Sequence, residues 1–185
     1  GKERTKDEIL QSAAGRTVMT TEPKFIPREA CVINPAQDIS MKIRLIDCVG
    51  FMIDGATGVV EDGKERLVKT PWYDYEIPFS EAAEFGTRKV IKDHSTVGIV
   101  MTTDGSIGEL PRDSYKAAEA ATIEELKKIG KPFVVVVNSK NPAAKSAAEC
   151  VDEIKKAYGA EAVSLDCEQL TLDDVNRTLC LLYTS

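Results

Sequence analysis

Asp47 and Gly50 form the sole D-x-x-G in the chain. They close an apolar-alternating stretch, Met41-Lys-Ile-Arg-Leu-Ile-Asp47, so a strand delivers a carboxylate to its end and a glycine follows three residues later. P-loop nucleotide hydrolases present a carboxylate to Mg²⁺ in this way, with a backbone N–H close to the terminal phosphate. Gly50 suits that task because a residue without Cβ lets the backbone approach a γ-phosphate. A strand-terminating turn with an Asp cap explains the same residues without chemistry. The glycine-rich phosphate loop that should precede the motif does not occur in the sequence. What is written here is half of an active site.

Two other runs fall in the order such a site requires. Thr20 and Thr21 lie in Thr17-Val-Met-Thr-Thr-Glu-Pro23, ahead of the strand. In phosphoryl-transfer switches a threonine in this loop ligates Mg²⁺ and senses the γ-phosphate. Alone, the run reads as an extended loop stiffened by Pro23 and Pro27. The other run is Val134-Val-Val-Val-Asn-Ser-Lys-Asn141, an apolar strand ending in Asn138, Ser139 and Lys140. GTPases place N-K-x-D at such a strand end. Here the lysine is displaced by one position and Asn141 replaces the acid. A carboxamide cannot supply the two acceptors guanine needs, so guanine specificity should be weak or absent.

The elements that must position these residues can be read from pattern. Strands Ala30–Ile33 and Met41–Asp47, joined by Asn34–Asp38, should pair antiparallel, because the connection is too short for a crossover. Residues 1–24 suggest a short helix and an extended loop, and 51–79 a long irregular stretch. A helical pattern runs from Ser80, a possible cap, to about His94, a cation at the favoured C-terminal end. Strand Val97–Met101, loop Thr102–Arg112 and helix Asp113–Ile129 follow, the helix stopped by Gly130 and Pro132. Strand Phe133–Val137 is wholly apolar, as in a buried parallel sheet. Helix Pro142–Tyr158, strand Ala162–Leu165 and helix Leu172–Leu182 complete a three-layer α/β pattern.

Bulk properties narrow the classes. A length of 185 residues suits one domain, and 43% hydrophobic with 29% charged residues is ordinary for a soluble globular chain. A net charge of −6 argues against a broad nucleic-acid-binding face. Five scattered cysteines, no C-x-x-C and a single histidine argue against zinc. The cysteines read as reduced thiols, mostly small core residues, in a cytosolic protein. Trp72, Tyr73 and Tyr75 are either a partner anchor or pins for a long loop. Thr102-Thr-Asp-Gly105, at another strand end, reads first as a plain turn.

Longer runs carry a more specific signal. Gln11–Phe25, Ile43–Gly50, Thr70-Pro-Trp-Tyr73, Ile77-Pro-Phe79 and Glu81-Ala-Ala-Glu84 resemble the stage IV sporulation protein A family. So do Gly86–Ile91, His94-Ser-Thr96, Thr102–Gly105 and Gly130-Lys-Pro-Phe133. The resemblance extends from about residue 3 to at least residue 166, and the last residues, Leu181 to Ser185, match nothing in it. It implies a P-loop NTPase fold of the translation-factor-like GTPase type: a mostly parallel sheet with an antiparallel hairpin.

On that resemblance the family's P-loop and its strand lie upstream of Gly1 and its later domains beyond the C-terminus, making this chain a fragment. Gly1-Lys2 is no remnant of the loop, because Glu3 stands where Ser or Thr is required. Without that strand, the hairpin and the parallel strands should show unpaired edges. The resemblance implies ATP and Mg²⁺ as cofactors. It makes Thr20 and Thr21 the γ-phosphate sensors, Thr21 also a Mg²⁺ ligand, and Asp47 with Gly50 the Mg²⁺/γ-phosphate element. Asn138, Ser139 and Lys140 take the altered base-recognition position. The implied activity is ATP hydrolysis that drives self-assembly of the spore-coat basement layer. The implied place is the mother-cell cytoplasm at the forespore surface. The implied partners are further copies of the protein, a small amphipathic membrane-bound sporulation peptide, other coat morphogenetic proteins and, indirectly, the forespore membrane. Nucleic acid is not among them. Two other readings remain: a scaffold with a vestigial nucleotide fold, and a GTPase-like switch.

Overall fold

A computed structural model of the chain describes residues 24–36, 39–56, 58–61, 63–70 and 72–184. The helix and loop expected before Lys24, with Thr20 and Thr21, lie outside the described residues. The rest forms two compact units, one built around Met41–His94 and the other running from Ser95 to the C-terminal helix.

In the first, β1 (Lys24–Ala36) and β2 (Ile39–Asp47) form a two-stranded sheet; β1 is longer at both ends than the sequence suggests, and β2 starts two residues earlier and ends at Asp47 as expected. Two residues separate them, so they run antiparallel. Val32 and Leu45 are exposed, and among the described residues no third strand joins the pair. Residues 51–79 are more ordered than expected. Strands β3 (Val60–Glu61) and β4 (Lys64–Glu65) make one small hairpin, and β5 (Leu67–Thr70) and β6 (Tyr73–Pro78) another. The Asp62-Gly63 turn signal and the alternation Tyr73-Asp-Tyr-Glu-Ile77 explain both hairpins.

Trp72 and Tyr73 pack on Phe85, with ring centroids 5.2 and 5.5 Å apart. These two aromatics pin the loop, while Tyr75 stays exposed. Phe85 belongs to helix α1 (Phe79–Lys89), which widens into a π-helical turn, Val90–His94. Ser80 does not cap the helix. The chain enters it directly from β6 with Pro78 at the N-cap, so Ser80 falls in the first turn and donates to Glu65 instead.

The second unit follows the sequence pattern closely. Its sheet has the order β7 (Gly98–Thr103), β8 (Phe133–Asn138), β9 (Ala162–Leu165), all parallel. Helices α2 (Asp113–Ile129), α3 (Lys145–Tyr158) and α4 (Leu172–Thr184) connect and cover the strands. Phe133 to Val137 are all buried, as their unbroken apolar run requires. Each such side chain contributes about 1.5–3 kcal/mol of transfer free energy.

Gly98 lets β7 approach α2. A Cβ there would lie 2.9 Å from Leu126 Cδ2 and 3.2 Å from Phe133 Cβ. Across the sheet, Leu181 of α4 packs on Val136, Val163 and Leu165. The chain's last helix is therefore part of the core, so Leu181, expected to lie outside the family pattern, belongs to the domain. Among the described residues β7 is an edge strand, and Ile99 and Met101 on its second face are exposed. Of the five cysteines only Cys150 is buried; Cys48 and Cys167 are half-buried, and Cys31 and Cys180 are exposed. All five are free thiols, but most are not the core residues expected. No helix among the described residues is long and apolar enough to cross a membrane.

Arg112, just before α2, forms a bidentate ion pair with Glu119 at 2.7 and 2.9 Å and also donates to Thr102 Oγ1 at 3.0 Å. Burial works against the Arg112 charge, but the Glu119 carboxylate outweighs it and raises the guanidinium pKa. With a Glu119 side chain only 3% exposed, its loss would strand a buried cation. We expect Glu119→Ala to cost about 3–5 kcal/mol in urea unfolding. We expect Arg112→Met/Glu119→Leu to recover most of that loss. A single variant as stable as wild type would contradict this reading.

Candidate functional site

Asp47 sits where the sequence placed it, as the last residue of β2, exposed, with no partner for its carboxylate among the described residues. The turn after it is fastened to α1. Gly50 has φ +85°, a left-handed conformation that L side chains rarely adopt, and a Cβ there would meet nothing within 4 Å. The glycine is thus required by backbone angle. Its N–H donates to Thr87 Oγ1 at 3.0 Å. Thr87 is itself buried in α1. Desolvation raises the Cys48 pKa against the lowering influence of Thr87 and Gly50, so the thiol stays protonated in the neutral range.

Among the described residues no group of three or more His, Cys, Asp or Glu side chains could hold a metal ion, and Asp47 is the one expected Mg²⁺ ligand whose position is described. Thr21, the other expected ligand, lies outside the described residues.

In the second unit, parallel register brings three strand ends to one edge. Thr103 pairs with Asn138, and Asn138 with Leu165. Asn138 Oδ1 accepts the Cys167 N–H at 3.0 Å, so its side chain supports the loop after β9. Ser139 is 1% exposed and its N–H donates to Leu165 O at 2.9 Å. Lys140 and Asn141 are exposed, and neither side chain has a partner among the described residues.

The residue that sequence reasoning passed over is Asp104. Its Oδ1 accepts the Ser106 hydroxyl at 2.6 Å and the Ser106 N–H at 3.0 Å. Its Oδ2 accepts the Ser139 hydroxyl at 2.8 Å and that of Ser146 at 3.4 Å. Partial burial raises the Asp104 pKa, but the Ser106, Ser139 and Ser146 donors together outweigh it, and the net shift is downward. The carboxylate is charged throughout the neutral range. No local signal marks it beyond Asp-Gly at a strand end, because Ser139 and Ser146 come from distant sequence.

Fold and loops describe an α/β domain with polar loops at the carboxyl ends of parallel strands, where open α/β sheets bind ligands, an architecture consistent with an ATPase domain. Residues 1–184 match the family model described as "Stage IV sporulation protein A, ATPase domain". The chain belongs to the stage IV sporulation protein A family. It is 45% identical over 178 residues to the stage IV sporulation protein A of Bacillus anthracis, covering 96% of this chain and 36% of that protein. It is 45% identical over 172 residues to that of Bacillus subtilis (strain 168), covering 93% and 35%. With that of Clostridioides difficile (strain 630) the identity is 43% over 183 residues, covering 98% and 37%. The chain thus spans little more than a third of the relatives it matches. No solved structure matches it.

The Thr87 contact makes a direct prediction. Thr87→Val keeps the side-chain shape but removes the acceptor from Gly50 N–H. The variant should lose about 1–2 kcal/mol of stability, the cost of an unmet donor. Hydrogen exchange at the Gly50 amide should accelerate, while Thr87→Ser should retain wild-type protection. Unchanged Gly50 exchange in the valine variant would show that the contact does not hold the turn.

Proposed function

We propose that the full-length protein hydrolyses ATP and that turnover drives its self-assembly into the basement layer of the spore coat during sporulation. The observation that carries this reading is the turn from Asp47 to Gly50: an unpartnered carboxylate at a strand end, then a backbone held in a left-handed conformation by α1. Membership of a family named for sporulation and for an ATPase domain supports the same reading. A P-loop NTPase fold of the translation-factor-like type is the architecture that goes with this function.

Roles follow from chemistry. Asp47 would hold Mg²⁺ through water, and the Gly50 N–H would meet the terminal phosphate. The metal, when bound, supplies charge neutralisation at the transferring phosphoryl group. Thr20 and Thr21 would couple the presence of that phosphate to loop conformation. Asn138 would brace its neighbouring loop and the buried Ser139 would anchor its own, while Lys140 and Asn141 would face the base. Since Asn141 offers one acceptor and one donor group rather than two acceptors, ATP is favoured over GTP.

The proposed partners are further copies of the protein in a polymer, an amphipathic membrane-bound peptide and other coat proteins. The proposed place is the mother-cell side of the forespore. Family membership is the sole support for these assignments.

One observation favours a second reading, a scaffold without turnover: the Gly50 N–H is already taken by Thr87. The two separate on a single measurement. Purified full-length protein should release phosphate from ATP in a Mg²⁺-dependent manner and act poorly on GTP. Asp47→Ala should lower kcat about 10- to 100-fold, as the loss of a carboxylate that holds a metal through water does. No turnover by the folded wild-type protein would leave the scaffold, and GTP preferred over ATP would leave a GTPase-like switch.

A further inference from the structure

Two consecutive backbone amides after β8 feed one carboxylate. The Lys140 N–H donates to Ser106 Oγ at 3.0 Å, and the Ser106 hydroxyl donates to Asp104 Oδ1 at 2.6 Å. The Asn141 N–H donates to Ser139 Oγ at 3.2 Å, and the Ser139 hydroxyl donates to Asp104 Oδ2 at 2.8 Å. Each hydroxyl has one proton and spends it on Asp104, which leaves its oxygen lone pairs for the amides. An acceptor-only group at the end of both relays fixes the direction of every hydrogen bond in them. The third amide of the run, that of Ser139, is held by Leu165 O. All three backbone N–H groups of Ser139-Lys140-Asn141 are therefore held, while the side chains of Lys140 and Asn141 stand exposed.

A loop with every amide tied down and two polar side chains left free is built to present those side chains in fixed positions. We propose that Asp104 is the positioning residue of the base-recognition loop, setting the Ser139–Asn141 backbone so that Lys140 and Asn141 meet the nucleotide base. The assignment rests on the ATPase reading for the identity of the ligand, and on the hydrogen bonds alone for the role of Asp104. Asp104 touches no reacting atom and acts only through Ser106 and Ser139. Its loss should therefore weaken binding of ground state and transition state alike, leaving the chemical step intact.

Asp104→Asn is the decisive variant, because it keeps the volume of the side chain but turns one acceptor into a donor that opposes a serine proton. In the full-length protein KM for ATP should rise about tenfold with kcat within about twofold of wild type, the signature of lost uniform binding. The ATP-over-GTP preference should shrink in the same variant. Hydrogen exchange at the Lys140 and Asn141 amides should accelerate at least about tenfold, and Ser106→Ala should release Lys140 more than Asn141. Ser139→Ala should show the reverse order.

An Asp104→Asn protein with wild-type KM, wild-type base preference and both amides still protected would overturn the proposal. So would a fall in kcat at unchanged KM, which would assign Asp104 to the reaction itself. A wild-type protein that hydrolyses no nucleotide would end the ATPase reading, and the amide exchange would still decide whether Asp104 sets the loop.

Discussion

In the second unit everything that bears on the candidate site follows from parallel pairing around a strand buried on both faces. With Phe133 to Val137 all inside, β8 cannot slip by one residue without sending its apolar side chains to the wrong environment. That register places Thr103 beside Asn138 and Asn138 beside Leu165. Because all three strands point the same way, the loops that follow them emerge at one edge. Ser139 can then meet Asp104, and Asn138 meet Cys167, although 35 and 29 residues of chain separate them. The polar network at this edge is a consequence of the apolar packing beneath it.

The first unit solves a different problem. There a single strand end must hold a carboxylate outward while its chain turns sharply. The turn owes its shape to Gly50 in a left-handed conformation and to Thr87, whose hydroxyl takes the Gly50 N–H from the side of α1. Helix α1 is in turn held by Phe79, Ala82 and Ala83, all essentially inaccessible, and by the aromatic contacts that Trp72 and Tyr73 make with Phe85. The long segment before α1 thus contributes support to the turn, through hairpins whose strands are short and largely exposed.

Local pattern made much of this legible. The helix Asp113–Ile129 ends where Gly130 takes a left-handed conformation, with the Lys131 N–H returning to Leu126 O, and strand Ala162–Leu165 has the limits its apolar residues suggest. Glycines and prolines punctuate residues 51–79 and obscure the alternation of Tyr73 to Ile77, so pattern alone suggests irregular chain where two hairpins form. Ser80 has the right residue type for a cap and the wrong position, since Pro78 brings the chain in two residues earlier. Asp47 and Gly50 could be found by spacing because both lie in one turn. Asp104 and Thr87 could not. Their partners lie 35 and 37 residues away, and only the tertiary fold brings such residues together.

We propose, at the centre of this account, that the full-length protein binds ATP with Mg²⁺. Hydrogen exchange of the full-length protein with and without ATP and Mg²⁺ tests it most directly. The account predicts added protection at the Gly50 amide and slower exchange through Ser139–Asn141 with ATP, and a smaller effect at Gly50 with ADP, which lacks the terminal phosphate. Identical exchange at both segments with saturating ATP would contradict it.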